Sequence, residues 1–300
     1  MKLSFATANP QKLIVAIPWL WLALFFVMPF IFILKISVSE PQLAMPPYQD
    51  WIREFEDGLL TITLNFGNYL LLLEDDLYVS ALLGSATIAG ISTLLCLLIG
   101  YPMAYAIALA PSHWRMPLLM LIILPFWTSF LLRVYAWIGI LKDNGLLNQL
   151  LMSIGLIDQP LQILHTPVAV YIGVVYSYLP FLVLPLYATL VRLDNTLLEA
   201  AADLGARPLR QFMTVTLPQS VPGMVAGSML VFIPVMGEFV IPDLLGGPDT
   251  LMVGKLMWTE FFNNKDWPVA SSLAAVLLML LIIPFVFMRH FEQRTAEEEK

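Results

Sequence analysis

Glu238 is the only acidic residue inside a long apolar run of this 300-residue chain. An ionisable group at membrane depth is costly and faces protein or water there. Two uses follow from that cost. Glu238 contacts an ammonium group moving along a polar path, or it serves the fold by pairing with Arg133 or by capping a helix that breaks near Pro242. Aromatic faces favour the first use, since each attracts an ammonium group by about 0.5–2 kcal/mol. Trp127, Tyr135, Tyr176, Tyr178 and Trp258 are the candidates. Each also suits the interfacial belt at a span end. A path must release what it binds, so a tight site of several carboxylates is not expected here. Cys96 stands alone, and His113, His165 and His290 are far apart in sequence. That excludes a disulfide framework and leaves no metal-ligand spacing or nucleophile–base pair. The expectation is a chain with no catalytic residue, no metal and no bound cofactor.

A second constellation does mechanical work. Residues 199–205 read Glu199-Ala200-Ala201-Ala202-Asp203-Leu204-Gly205, and Val215, Leu217 and Pro218 follow at fixed distance. Thr196 and Glu199 have the spacing of a capping box, which predicts a helix start at Thr196. Leu197, Ala200, Ala201 and Leu204 then share one face. The alanines keep that face flat, so another surface can approach closely. Gly205 suits the left-handed residue that ends a helix. Pro208 suits the first turn of a second short helix, and Pro218 is expected to end it. A short helix with a shallow apolar face is a knob for a partner's groove, and 196–218 is read as a coupling loop.

The elements that must carry these groups are apolar. Hydrophobic residues make up 59% of the chain and charged residues 12%, about half the charged share of a soluble domain. A membrane helix needs roughly 20 mostly apolar residues. The stretches 13–36, 79–108, 117–141, 167–190, 222–241 and 268–288 qualify. The first is too long for a signal peptide and carries Pro18 and Pro29, so it is read as a retained span. The fold class is all-α, a single membrane domain over 1–300 with six transmembrane helices.

An even number of spans puts both termini on one side. With the termini in the cytoplasm, 9 basic residues lie inside and 5 outside, which agrees with the rule that Lys and Arg stay inside. The acids divide as 14 outside and 7 inside. The outer face is therefore acidic, which concentrates cations and repels anions. The external loop 37–78 contains the alternating Thr61-Ile62-Thr63-Leu64-Asn65-Phe66, a short strand signal. It is long enough to pack over the outer mouth.

The string from Glu199 to Pro218 resembles the EAA motif of binding-protein-dependent ABC importer permeases: Glu-Ala-Ala, three residues, Gly, nine residues, an aliphatic residue, any residue, Leu-Pro. Every position is met. Further strings are similar to the polyamine branch, the putrescine permeases in particular: Leu124-Pro125-Phe126-Trp127-Thr128-Ser129, Arg133-Val134-Tyr135-Ala136-Trp137, 237–247 beginning Gly237-Glu238-Phe239, and 258–269 with Phe261-Phe262-Asn263-Asn264.

The resemblance implies a type I ABC importer permease fold in a bacterial inner membrane. It implies a homologous second permease, an ATPase dimer and a periplasmic substrate-binding protein as partners. Polyamine (putrescine, with spermidine as a second cargo) would cross by alternating access. Glu199, Ala200, Ala201, Gly205, Leu217 and Pro218 would couple to the ATPase, which would hold the ATP and Mg. Glu238, Trp127, Tyr135, Tyr178 and Trp258 would line the path. The chain has no Walker A pattern of its own: Gly254-Lys255 is followed by Leu256 and lacks the earlier glycine. Iron and thiamine permeases are the alternatives within transport, and the acidic outer face argues against sulfate. A membrane-embedded enzyme would need clustered nucleophile, base or ligands. An ion-coupled transporter would not need the 199–218 element.

Overall fold

The computed structural model describes residues 10–54 and 60–298. Glu56 and Asp57 of the outer-loop count, with Lys2, Glu299 and Lys300, lie outside the described residues. The chain is predominantly helical. In order it runs α1 (Pro10–Leu22), a π-helical turn (Ala23–Val27), α2 (Met28–Ser37), β1 (Ile52–Glu54), β2 (Leu60–Ile62), α3 (Gly67–Glu74), α4 (Asp76–Leu109) and α5 (Ser112–Ile123). It continues through a 3-10 turn (Leu124–Trp127), α6 (Phe130–Leu141), α7 (Leu146–Ser153), α8 (Pro167–Leu190), α9 (Asn195–Asp203), α10 (Pro208–Gln211) and a π-helical turn (Phe212–Thr216). Then come α11 (Leu217–Met236), α12 (Val240–Leu245), α13 (Val253–Trp258), a π-helical turn (Thr259–Asn263) and α14 (Trp267–Glu298).

Among the described residues four helices are long and apolar enough to cross a membrane: Val15–Ser37, Asp76–Leu109, Pro167–Leu190 and Pro208–Met236. A bent pair, Ser112–Trp127 with Phe130–Ser153, makes a fifth if counted as one span. The pair meets at 91°. The stretch 117–141, continuous in hydropathy, is thus two helices. Pro125 opens the 3-10 turn, and Thr128 and Ser129 take extended backbone before α6 starts. The stretch 222–241 also has a different frame. Its helix begins at Pro208, runs through Pro218 and stops at Met236. The π-helical turn Phe212–Thr216 widens the helix just before Pro218, so the missing N–H of that proline does not break the rod. Trp267–Ile283 is the apolar part of α14.

The chain forms two compact units. One gathers the residues up to Asp76 with Met257–Leu278, and the other gathers Leu77–Leu256 with the stretch that begins at Met279. In the first unit the segment after α2 is tied down by a polar knot. Buried Asn68 donates to the carbonyls of Ser37 (2.8 Å) and Ser39 (2.9 Å), and Ser37 shares a hydrogen bond with the Tyr69 hydroxyl at 2.7 Å. Trp51 Nε1 donates to the Lys35 carbonyl at 2.9 Å, and Lys35 pairs with Asp50 at 2.6 Å. The strand signal materialises as β2, antiparallel to β1 with Ile52 opposite Ile62. It ends earlier than the alternation suggested, before Asn65 enters the turn that opens α3.

In the second unit α8 packs along α11. Gly223 and Gly227 permit this, because a Cβ at Gly227 would lie 2.8 Å from the Leu182 carbonyl oxygen and one at Gly223 would lie 2.5 Å from Thr189 Oγ1. Small residues at such spacing let membrane helices approach closely. Buried Ser85, Ala89, Ser92, Cys96 and Gly100 make a similar stripe on α4. Buried Leu182 of α8 fills the space against Gly100 and Gly227, and buried Ile241 and Leu245 of α12 pack on Gly173 of α8.

Candidate functional site

The 195–218 segment assembles from local rules. Asp194, not Thr196, caps α9: its carboxylate accepts from the Thr196 N–H at 2.9 Å. That hydrogen bond holds the Asp194 carboxyl below the ordinary carboxylate range. The helix therefore starts one residue ahead of Thr196, and Glu199 points outward instead of closing a capping box. At the other end Gly205 takes φ +82. Its N–H donates to the Ala202 carbonyl at 2.8 Å, and the Ala206 N–H donates to that of Ala201 at 3.0 Å. This is the double bond pattern of a Schellman cap. Pro208 then opens α10. Glu199 and Ala200 are exposed and Ala201 is half-buried. Leu197 is 45% exposed, Leu204 90% and Leu209 71%. A row of exposed leucines beside a flat alanine face has the shape of a docking knob, and nothing within the described residues covers it.

Glu238 lies where α11 gives way to α12. Gly237 ends the α11 helix, and Phe239 precedes the short α12. The carboxylate is 8% exposed. Its Oε1 accepts from the N–H groups of Val240 (3.0 Å) and Ile241 (3.3 Å), so it caps α12 as one reading of the sequence required. Its Oε2 accepts from the Tyr178 hydroxyl on α8. Three donors therefore converge on this one buried carboxylate. The break is held from behind by α13, where a Cβ on Gly254 would lie 2.4 Å from the Gly237 carbonyl oxygen and 2.6 Å from that of Glu238.

Glu238 opens on a cavity of ≈ 410 Å³, within the ~300–1,000 Å³ usual for small-molecule sites. Phe126 comes from the 3-10 turn, Phe130 and Arg133 from α6, and Ser177, Tyr178 and Phe181 from α8. Pro234 and residues 237–240 close it. The 91° bend therefore has a consequence: it carries Phe126 and Phe130 to the same cavity wall. The Arg133 guanidinium carbon sits 4.9 Å from the Phe126 ring centroid and 5.6 Å from that of Phe130. Its Nε and Nη1 are buried and make no hydrogen bond. Arg133 thus lines the cavity with Glu238 without bonding to it, and the direct Arg133–Glu238 pair expected as one alternative does not form.

Of the path candidates, the structure brings Glu238 and Tyr178 together. Trp127 is 76% exposed and lines no part of the cavity, and Tyr135 is likewise exposed on α6. Tyr176 packs on Trp137 with centroids 5.3 Å apart. Trp258 belongs to the other compact unit, where it lies 4.1 Å from Phe262. Sequence reasoning missed Phe126, Phe130 and Phe181 as cavity walls, and it counted Glu260 among the acids of the outer loops. Glu260 is buried and accepts from Asn264 Nδ2 at 2.9 Å. Its position four residues before Asn264, on an aromatic-rich turn, was the available signal.

Residues 12–297 match the family described as binding-protein-dependent transport system inner membrane component. The chain is 39% identical over 281 residues to the spermidine/putrescine transport system permease protein PotB of Haemophilus influenzae, covering 93% of each chain. It is 40% identical over 265 residues to the PotB protein of Escherichia coli K12, covering 88% of this chain and 91% of that one. The fold is similar to a chain of the bacterial alginate ABC transporter solved with a pentasaccharide-bound periplasmic protein. There the TM-score is 0.70 at 16% identity, over 95% and 94% of the two chains.

Proposed function

The chain belongs to the family of binding-protein-dependent transport system inner membrane components, and on that premise we propose that it is the permease subunit of an ATP-driven polyamine importer. The observation that carries the reading is the buried Glu238 carboxylate facing a cavity that Phe126, Phe130, Tyr178 and Phe181 line together with Arg133. A carboxylate with aromatic neighbours suits an ammonium cargo. Two relatives that share about two fifths of their residues with this chain are spermidine/putrescine permeases, which favours polyamines over iron or thiamine. Nothing in the cavity provides a ligand set for a metal cargo, and the acidic balance of the outer loops suits a cation.

In this reading the chain crosses the inner membrane six times, with 117–141 as a bent third span, α14 as the sixth and both termini in the cytoplasm. A periplasmic binding protein delivers polyamine to the outer side, and a homologous second permease completes the path. An ATPase dimer, which holds ATP and Mg, seats the α9 knob. Its closure and opening move α9 and α10. The π-helical turn Phe212–Thr216 joins α10 to α11 in one continuous helix, so the push reaches Gly237 and Glu238 at the far end of that rod. Alternating access then presents the Glu238 cavity to one side at a time.

The test is uptake into proteoliposomes holding the four components. Labelled putrescine and spermidine should accumulate on ATP addition, while labelled thiamine and ferric iron should not. ATP turnover without polyamine uptake would remove the substrate assignment and leave the family untouched.

A further inference from the structure

Two cations of the second unit lie near carboxylates and are treated differently. Lys255 has Asp243 at 3.3 Å. Arg133 is half-buried and leaves Nε and Nη1 without acceptors, although the Glu238 carboxylate lines the same cavity. Glu238 instead spends its oxygens on Tyr178, Val240 and Ile241. Two aromatic faces of the cavity, Phe126 and Phe130, are covered by the Arg133 guanidinium. A cargo cation entering this cavity meets one carboxylate, one guanidinium and two π faces that the guanidinium already occupies.

We propose that Arg133 is the residue that limits cargo affinity in the path, a tethered cation that holds the place of the cargo and keeps it from binding tightly. This rests on the polyamine reading above. The reasoning is electrostatic. A carboxylate beside two open aromatic faces is a strong ammonium site, and adding a like charge within the same low-dielectric cavity weakens it steeply. A transport path needs that weakness, because a cargo that binds tightly does not leave. Arg133 supplies it without removing Glu238, which the α12 start requires.

The experiment uses the assembled complex with its second permease and ATPases in nanodiscs, without the binding protein, and measures equilibrium binding of labelled putrescine. Arg133→Gln and Arg133→Met should bind putrescine about tenfold more tightly than the unaltered complex, and both should lower the maximal uptake rate in proteoliposomes. Arg133→Lys keeps the charge and should stay close to the unaltered complex in both readouts. Putrescine affinity unchanged or weakened in the Gln and Met variants would overturn the proposal. So would failure of both to assemble, which would make Arg133 a packing residue of α6. Glu238→Gln separates this from the underlying reading. If it weakens binding while the Arg133 variants do not tighten it, only the role of Arg133 falls. If it leaves putrescine binding unchanged, the cavity is not the path and both fall.

Discussion

The 195–218 segment and the Glu238 cavity follow opposite rules. The first is exposed, apolar and held by neighbours within a few residues: Asp194 caps α9, Gly205 ends it and Pro208 starts α10. The second is an aromatic-walled cavity around one buried carboxylate, and it needs the 3-10 turn, α6, α8 and the α11–α12 break to meet in space. A surface meant for another protein can be written in twenty consecutive residues, because the partner completes it. The walls of a cavity come from several elements, so the residues that form it are scattered along the chain. The two should therefore fail in different ways when altered.

The largest effect is expected at the knob. Leu204→Asp places a charge on a side chain that is 90% exposed, so the subunit should fold and insert normally. Uptake should nevertheless fall about a hundredfold, as at the centre of an interface, and gel filtration of the complex should show the ATPase lost. Glu238→Gln comes next. The amide oxygen can still cap α12, so assembly persists, while loss of the charge should lower uptake about tenfold with the ATPase still bound. Tyr178→Phe removes one donor to Glu238 and should cost about threefold in uptake. Trp127→Ala should change uptake by less than about twofold, since that ring is exposed and outside the cavity. If Leu204→Asp instead destabilised the isolated subunit, or if Glu238→Gln released the ATPase, the contrast between the two regions would be lost.

How far the sequence could be read divides along the same line. The knob was legible because caps and stops act over two to four residues, and Gly205 and Pro208 sit where their backbone chemistry places them. The helix start was misjudged by the Thr196–Glu199 spacing, since Asp194 is a good cap and reaches the Thr196 N–H first. The span plan was legible in length and apolarity but not in direction. Hydropathy counts apolar side chains and does not register backbone, so the 91° bend at Leu124–Ser129 passed for a continuous helix although Pro125, Thr128 and Ser129 marked it. Pro218 was taken for a stop, and the π-helical turn before it shows that one wider turn accommodates a proline. Glu238 was found by its isolation in apolar sequence. Its companions Phe126 and Phe130 were not, because only the bend brings them to α8.

In the proposed importer the α9 knob touches the ATPase. The described thiol of the chain, Cys96, is buried, so Leu204→Cys adds a reactive group at an exposed site. With a short bifunctional reagent in the assembled complex, that cysteine should cross-link to the ATPase subunit, and more strongly in one nucleotide state than in the other. Cross-linking to lipid alone, or to no ATPase in any nucleotide state, would contradict it.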